Sequence, residues 1–138
     1  MRMKKVFSTR YSETSMSFAL LLLRLAAGGL MIPHGYQKLV GFAANSASFA
    51  DPFGIGGHLS MASTIFAEFF CAVLIVLGLL TRVATIPLIV VMSVVVFYSH
   101  KGDIFLSKGE LPALFLAAYL VLLLTGPGKW SLDRAIGK

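Results

Sequence analysis

The chain has 138 residues, of which 57% are hydrophobic and 13% charged, with a mean hydropathy of +0.85 and a net charge of +6. Soluble domains carry about a quarter charged residues, so this chain cannot cover a water-exposed surface, and its length leaves no room for a separate soluble catalytic unit. The positive charges sit at the ends of apolar runs rather than in a stripe with interleaved aromatics, which points to membrane topology and anionic lipid head groups and away from nucleic acid.

The expected fold is all-α and integral to the membrane: a single domain over 1–138, with four transmembrane helices packed as a bundle. Predicted spans lie at about 16–33, 61–80, 83–99 and 111–125, flanked by segments 1–15 and 126–138; a crossing helix needs about 20 apolar residues. The opening Met1-Arg2-Met3-Lys4-Lys5 resembles the start of a secretory signal. The apolar stretch behind it is broken by Arg24 and no small-x-small cleavage site follows, so it reads as a retained first span. Ala26-Ala27-Gly28-Gly29 in that span, and Gly78 in the second, suit close helix packing. Pro33 and Gly35 flank His34, where the helix is expected to distort and end.

The segment 34–60 is long for so small a protein, and it carries Phe42, Phe49 and Phe53 among polar and glycine residues. A short interfacial helix near 44–50 and a glycine turn after it are expected, with the aromatics at head-group depth. Span two places Ser60, Thr64 and Glu68 four residues apart, on one helix face. Its Cys71 is the single cysteine, which permits no intrachain disulfide or dithiol chemistry. A tight turn makes spans two and three neighbours; Pro87 marks a mild kink and His100 closes span three. Glu110 opens span four, Pro112 suits its first turn, and Gly126-Pro127-Gly128 stops it.

Lys and Arg set the orientation. Arg2, Lys4, Lys5, Arg10, Arg82, Lys129, Arg134 and Lys138 fall on one side, against Lys38, Lys101 and Lys108 on the other. Both termini are therefore expected in the cytoplasm, with the chain crossing the inner membrane several times. The halves also rhyme faintly: each is a span, a histidine near its outer end (His34, His100), and a second span ending Leu-Leu-Thr.

Charges inside spans are costly and normally face the bundle interior with a partner. Arg24 lies about 12 Å into span one and Glu68 about 10 Å into span two at helical rise, so an Arg24–Glu68 pair is expected. The plain reading is a lock between two helices; the functional one draws on the neighbours of Glu68. His34, Lys38, His100 and Glu110 share its outer half, and a buried Tyr119 needs a hydrogen-bond partner. For each histidine alone, an interfacial side chain in water is the simpler account. His34 and His100 could hold a haem between helices, though nothing enforces it; no metal-ligand spacing or nucleotide fingerprint is present.

Arg24, then His34-Gly35-x-x-Lys38-Leu39, then Glu68 ahead of Leu77-Gly78-Leu79-Leu80-Thr81-Arg82, and finally Gly126-Pro127-Gly128-x-x-Ser131-Leu132-Asp133, resemble the DoxX family from about Leu20 to Arg134. The resemblance implies a four-helix membrane protein of bacterial or archaeal type, related to subunits of thiosulfate:quinone oxidoreductase and to oxidative-stress responses. It brings forward Arg24, His34, Lys38, Glu68, Arg82 and Asp133, the last two expected to cap or tie helix ends. The leading functional expectation is a quinone-interacting subunit of a membrane oxidoreductase. His34, Lys38, Glu68, His100, Glu110 and Tyr119 are its candidate binding residues, and Glu68, His34 and Lys38 its candidates for chemistry. Such a role needs a bound quinone, a redox partner protein, or both, because the chain has no self-contained redox centre. The alternatives are a non-catalytic membrane scaffold for a soluble redox partner and a small-solute or lipid-binding transporter built as a homo-oligomer.

Overall fold

The computed structural model describes residues 8–99 and 109–137. His100, Lys101 and Lys108 lie outside the described residues, as do Arg2, Lys4 and Lys5. Among those described, four apolar helices follow in order: α1 (Glu13–Val40), α2 (Gly57–Leu77), α3 (Thr81–Tyr98) and α4 (Glu110–Thr125). The first three are long and apolar enough to cross a membrane, and α4 is a shorter apolar helix of 16 residues.

Helix α1 starts where the Ser12 side chain accepts a hydrogen bond from Ser15 N–H at 3.0 Å, satisfying one of the orphan donors of the first turn. Glu13 in that turn also pairs with Lys129, which follows α4. Both ends of the described chain therefore meet at one end of the bundle, here the terminal end; the other is the loop end. The helix does not stop at Pro33. It continues to Val40, two turns beyond the expected boundary near residue 33. Proline is tolerated inside a membrane helix where neighbours compensate the lost bond, and Lys38 in the last turn suits the negative end of the helix dipole. His34 and Lys38 thus sit on regular helix, one turn apart on the same face.

The connection from α1 to α2 contains short helical turns at Phe42–Asn45 and Ser46–Ser48. The Asp51 carboxylate accepts from Ile55 N–H (2.9 Å) and Gly56 N–H (2.7 Å), closing a loop in which Gly54 and Gly56 have positive φ. His58, expected in a turn, lies in the first turn of α2, its Nδ1 2.6 Å from Ser46 Oγ. Helix α2 ends at Gly78 in the left-handed region (φ 73°), and Leu80 (φ 50°) adopts the same region immediately before α3.

Helices α1 and α2 approach closely because Gly28 and Gly35 have no side chain. A Cβ on Gly28 would lie 2.8 Å from Ala72 O, and one on Gly35 would lie 2.6 Å from Phe69 N. The core is filled by Leu20, Ala27, Met31, Ala67, Cys71, Ile75, Leu88, Met92, Phe115 and Leu122. The outward faces stay apolar: Phe18, Leu22, Leu30, Val83, Leu114 and Leu124 are all more than half exposed. Apolar surface this continuous is at home against lipid rather than water. The chain is a multi-pass helical membrane protein.

Candidate functional site

Polar groups collect at both ends of the bundle, and the two collections differ in kind. At the terminal end Arg24 is almost completely buried (2% exposed) and spends its guanidinium on backbone carbonyls. Nε donates to Ile75 O (3.0 Å), Nη2 to Val76 O (2.9 Å), and Nη1 to Pro127 O (3.0 Å) and Trp130 O (2.8 Å). Ile75 and Val76 belong to the last turn of α2, whose carbonyls carry the negative end of the dipole; Ile75 O also accepts the capping Gly78 N–H. After α4 the Thr125 and Ser131 hydroxyls serve Gly126 O and Gly128 O, and Pro127 O and Trp130 O are left to the guanidinium. One buried cation therefore ties α1, the end of α2 and the segment after α4.

Asp133 completes this end. Its carboxylate accepts from Leu80 N–H (2.8 Å) and Thr81 N–H (3.0 Å), capping α3, while its own N–H donates to Gly78 O (2.8 Å). An anion at a helix N-terminus is favoured by the dipole, and here it also stabilises the left-handed Leu80. Arg82 is exposed and reaches Leu124 O at 3.4 Å. The expected Arg24–Glu68 pair is thus replaced. Gly35 lies against Glu68, and Arg24 stands eleven residues earlier on the same helix. That is about 16 Å along the axis, beyond the reach of an arginine side chain.

At the loop end Glu68 pairs instead with Lys38, Nζ to Oε1 at 2.7 Å. The glutamate is 4% exposed and the lysine 29%. Glu68 sits in a π-helical turn, Phe66–Cys71, within α2. Such a wide turn interrupts the regular ladder, and turns of this kind are frequent at functional sites. A second, Val95–Ser99, ends α3 at the same level.

Two cavities flank the pair. The larger, about 310 Å³, is lined by Lys38, Glu68, Ser60, Ser63 and Thr64, by Val90, Val91, Val94 and Val95 of α3, and by Phe49, Pro52, Phe53 and Ile55 of the connection. The smaller, about 150 Å³, is lined by His34, Lys38, Glu68, Met31, Met92, Val95, Leu111, Pro112 and Phe115. Lys38, Glu68 and Val95 belong to both, so the ion pair stands in the partition between them.

The sequence-predicted residues divide accordingly. Lys38, Glu68 and His34 come together, with His34 edge-on to Phe115 (centroids 6.4 Å apart). Ser60, Thr64 and Glu68 share the cavity wall, but Ser60 Oγ donates to Ala50 O (2.7 Å) and Thr64 Oγ1 to Ser60 O (2.9 Å). Glu110 is exposed in the first turn of α4 and lines neither cavity. Tyr119 also lines neither: it is fully buried, stacks on Phe115 and donates its hydroxyl to Ala27 O at 2.9 Å. Tyr36 and Tyr98 face outward, more than half exposed. His100 is outside the described residues.

Residues 19–101 match the DoxX family, which places Arg24, His34, Lys38 and Glu68 inside the matched region. The chain belongs to the DoxX family. A membrane protein of Mycobacterium tuberculosis, named as uncharacterized, is 30% identical over 142 residues, covering 87% of this chain and 82% of its own length. Two uncharacterized proteins of Haemophilus influenzae are each 30% identical over 131 residues, covering 88% and 87% of this chain and 92% and 84% of their own lengths. No solved structure matches the chain. In this DoxX protein, sequence reasoning missed the valine wall of α3 and the role of Phe49, Pro52 and Phe53. The valines recur three and four apart on one face beside a loop-end π turn, which is a signal that could have found them.

Proposed function

We propose that this DoxX protein is a quinone-binding subunit of a membrane oxidoreductase, with the Lys38–Glu68 pair at the head-group site. The observation that carries the reading is an ion pair, its glutamate buried and its lysine partly exposed, set in the wall of a mainly apolar cavity of about 310 Å³. Small-molecule sites have this composition, apolar walls with a few convergent polar groups, and volumes from about 300 Å³ upward. The donor set fits a quinone ring. Val91, Val94, Phe49 and Phe53 offer flat apolar contact, and an ammonium has three N–H donors, of which the Glu68 bond uses one.

A quinone, when bound, supplies two-electron, two-proton chemistry. Lys38 donates a hydrogen bond to a ring carbonyl, and Glu68 holds or releases a proton beside it. His34, exposed on the smaller cavity, links the pair to the water at the loop end. The connection 49–55 keeps bulk water off the ring. The sequence contains one cysteine and no nucleotide fingerprint, so the electrons come through a partner protein. The lysine and arginine distribution supports a site on the outward side of the inner membrane.

Mass spectrometry of organic extracts from protein purified in mild detergent tests the reading. The wild type is expected to carry quinone near one per chain, and folded Lys38→Ala and Glu68→Gln variants to be depleted. Equal quinone content and quinol turnover in all three would sink the proposal and leave a scaffold role.

A further inference from the structure

The larger cavity is walled toward the loop end and open toward the lipid. On the loop side Phe49, Pro52, Phe53 and Ile55 contribute to its lining, in a segment fastened by the Asp51 carboxylate and by Ser60 Oγ on Ala50 O. On the lipid side it runs on. Ser63, Val90 and Val91 also line a second depression of about 430 Å³, bordered by Ala62, Phe66 and Pro87. Phe66 and Val90 are 51% and 46% exposed, so this second space is a groove on the outer face of the bundle between α2 and α3.

The groove lies beside the cavity, toward the lipid. Its α2 wall, Ala62, Ser63 and Phe66, comes before Glu68 on that helix, and its α3 wall runs from Val91 to Pro87, about 6 Å at helical rise. A tail leaving the Lys38–Glu68 pair through it would therefore exit sideways into the bilayer. Ala62 and Ser63 on one wall are small and Pro87 on the other is compact, which leaves room between the helices where larger side chains would close it.

We infer that the ligand of the Lys38–Glu68 site is a single-tailed amphiphile that slides in sideways from the bilayer, its tail lying in the groove of Ala62, Phe66, Pro87 and Val90. The inference rests on the quinone reading for the head group and adds the tail and the route. A hydrocarbon tail gains little over lipid from an apolar groove alone. The groove therefore sets orientation and access, and the polar pair supplies the recognition.

The experiment uses the whole chain in lipid nanodiscs with a decyl-tailed benzoquinone carrying a photoreactive diazirine at the chain tip. Labelling is expected at the α2–α3 groove, about tenfold above that at Leu114 and Leu124 on α4, a ratio worth about 1.4 kcal/mol. An excess of unlabelled decyl quinone should suppress it. Ala62→Trp, at an exposed position that lines the groove and not the head-group cavity, should abolish groove labelling while the tailless parent quinone still binds the wild type and the variant alike. Labelling that competes yet falls on the connection 49–55 or on α4 would overturn the sideways route and leave the head-group site standing. Uniform labelling without competition, together with no binding of the tailless quinone, would remove both.

Discussion

The terminal end and the loop end of this bundle each bury charge, and they treat it oppositely. Arg24 meets four carbonyls on two segments, and Asp133 meets two amides and returns a third bond through its own N–H. Most of these backbone groups lie at helix ends, and a saturated network of this kind rigidifies rather than reacts. Lys38 and Glu68 have each other, a widened helical turn, and empty volume on both sides. Buried charge alone does not mark a site; buried charge beside space does.

The largest effect is expected at the terminal end. Arg24→Ala removes the guanidinium donors to Ile75, Val76, Pro127 and Trp130, and it leaves Asp133 without its nearby cation. Losses from uncompensated buried groups run to about 3–5 kcal/mol, enough to abolish a monodisperse peak in size-exclusion chromatography. Arg24→Lys should rescue only part, because a point charge cannot serve four acceptors in a planar fork. A well-folded Arg24→Ala protein would break the contrast between the two ends.

At the loop end the test is a cycle rather than a single change. Lys38→Met or Glu68→Leu alone should cost about 1–3 kcal/mol in thermal unfolding, below the full cost of breaking a buried pair because Lys38 is partly exposed. The double change Lys38→Met with Glu68→Leu should recover much of that, since no unpaired charge remains. Quinone content should nonetheless stay depleted in all three. Recovery of ligand together with stability in the double variant would show that the pair holds helices only.

Gly35→Ala probes how the site is positioned. The added methyl would meet Phe69 N at 2.6 Å and the carbonyl carbon of Glu68 at 2.7 Å, both backbone atoms that cannot swing aside. Overpacking costs about 1–3 kcal/mol, and here it should fall on α1 and on the turn that aims Glu68. The expected readout is weaker quinone retention together with lowered thermal stability. Gly29→Ala is the control, since nothing lies within 4 Å of its added carbon.

The same contrast explains what could be read from the sequence. Four apolar segments, the tight second turn and the shared face of Ser60, Thr64 and Glu68 follow from spacing, and spacing is visible in one chain. His34 and Lys38 are one helical turn apart, so their meeting with Glu68 needed only that α1 run on through Pro33. The partners of Arg24 were invisible because they are backbone carbonyls, which every residue carries. The useful clue was Gly126-Pro127-Gly128: a chain that leaves its helix through such a run exposes carbonyls that a nearby buried donor can satisfy. The segment 49–55 contributes to the site by folding over it, and no periodic pattern encodes that placement.

The smallest effect sharpens the boundary between the two regions. Tyr119 lies in the core between them, its ring on Phe115, which itself reaches the smaller cavity. Tyr119→Phe keeps the stack and the volume and removes one hydrogen bond to Ala27 O, a carbonyl inside α1 that retains its helical role. The expected loss is about 1 kcal/mol, seen as a small drop in unfolding temperature with quinone content unchanged. Depletion of ligand by so conservative a change would mean that the hydroxyl communicates with the pair through Phe115. The site would then extend into the core, and the division between a sealed end and an end with open volume would have to be redrawn around Tyr119.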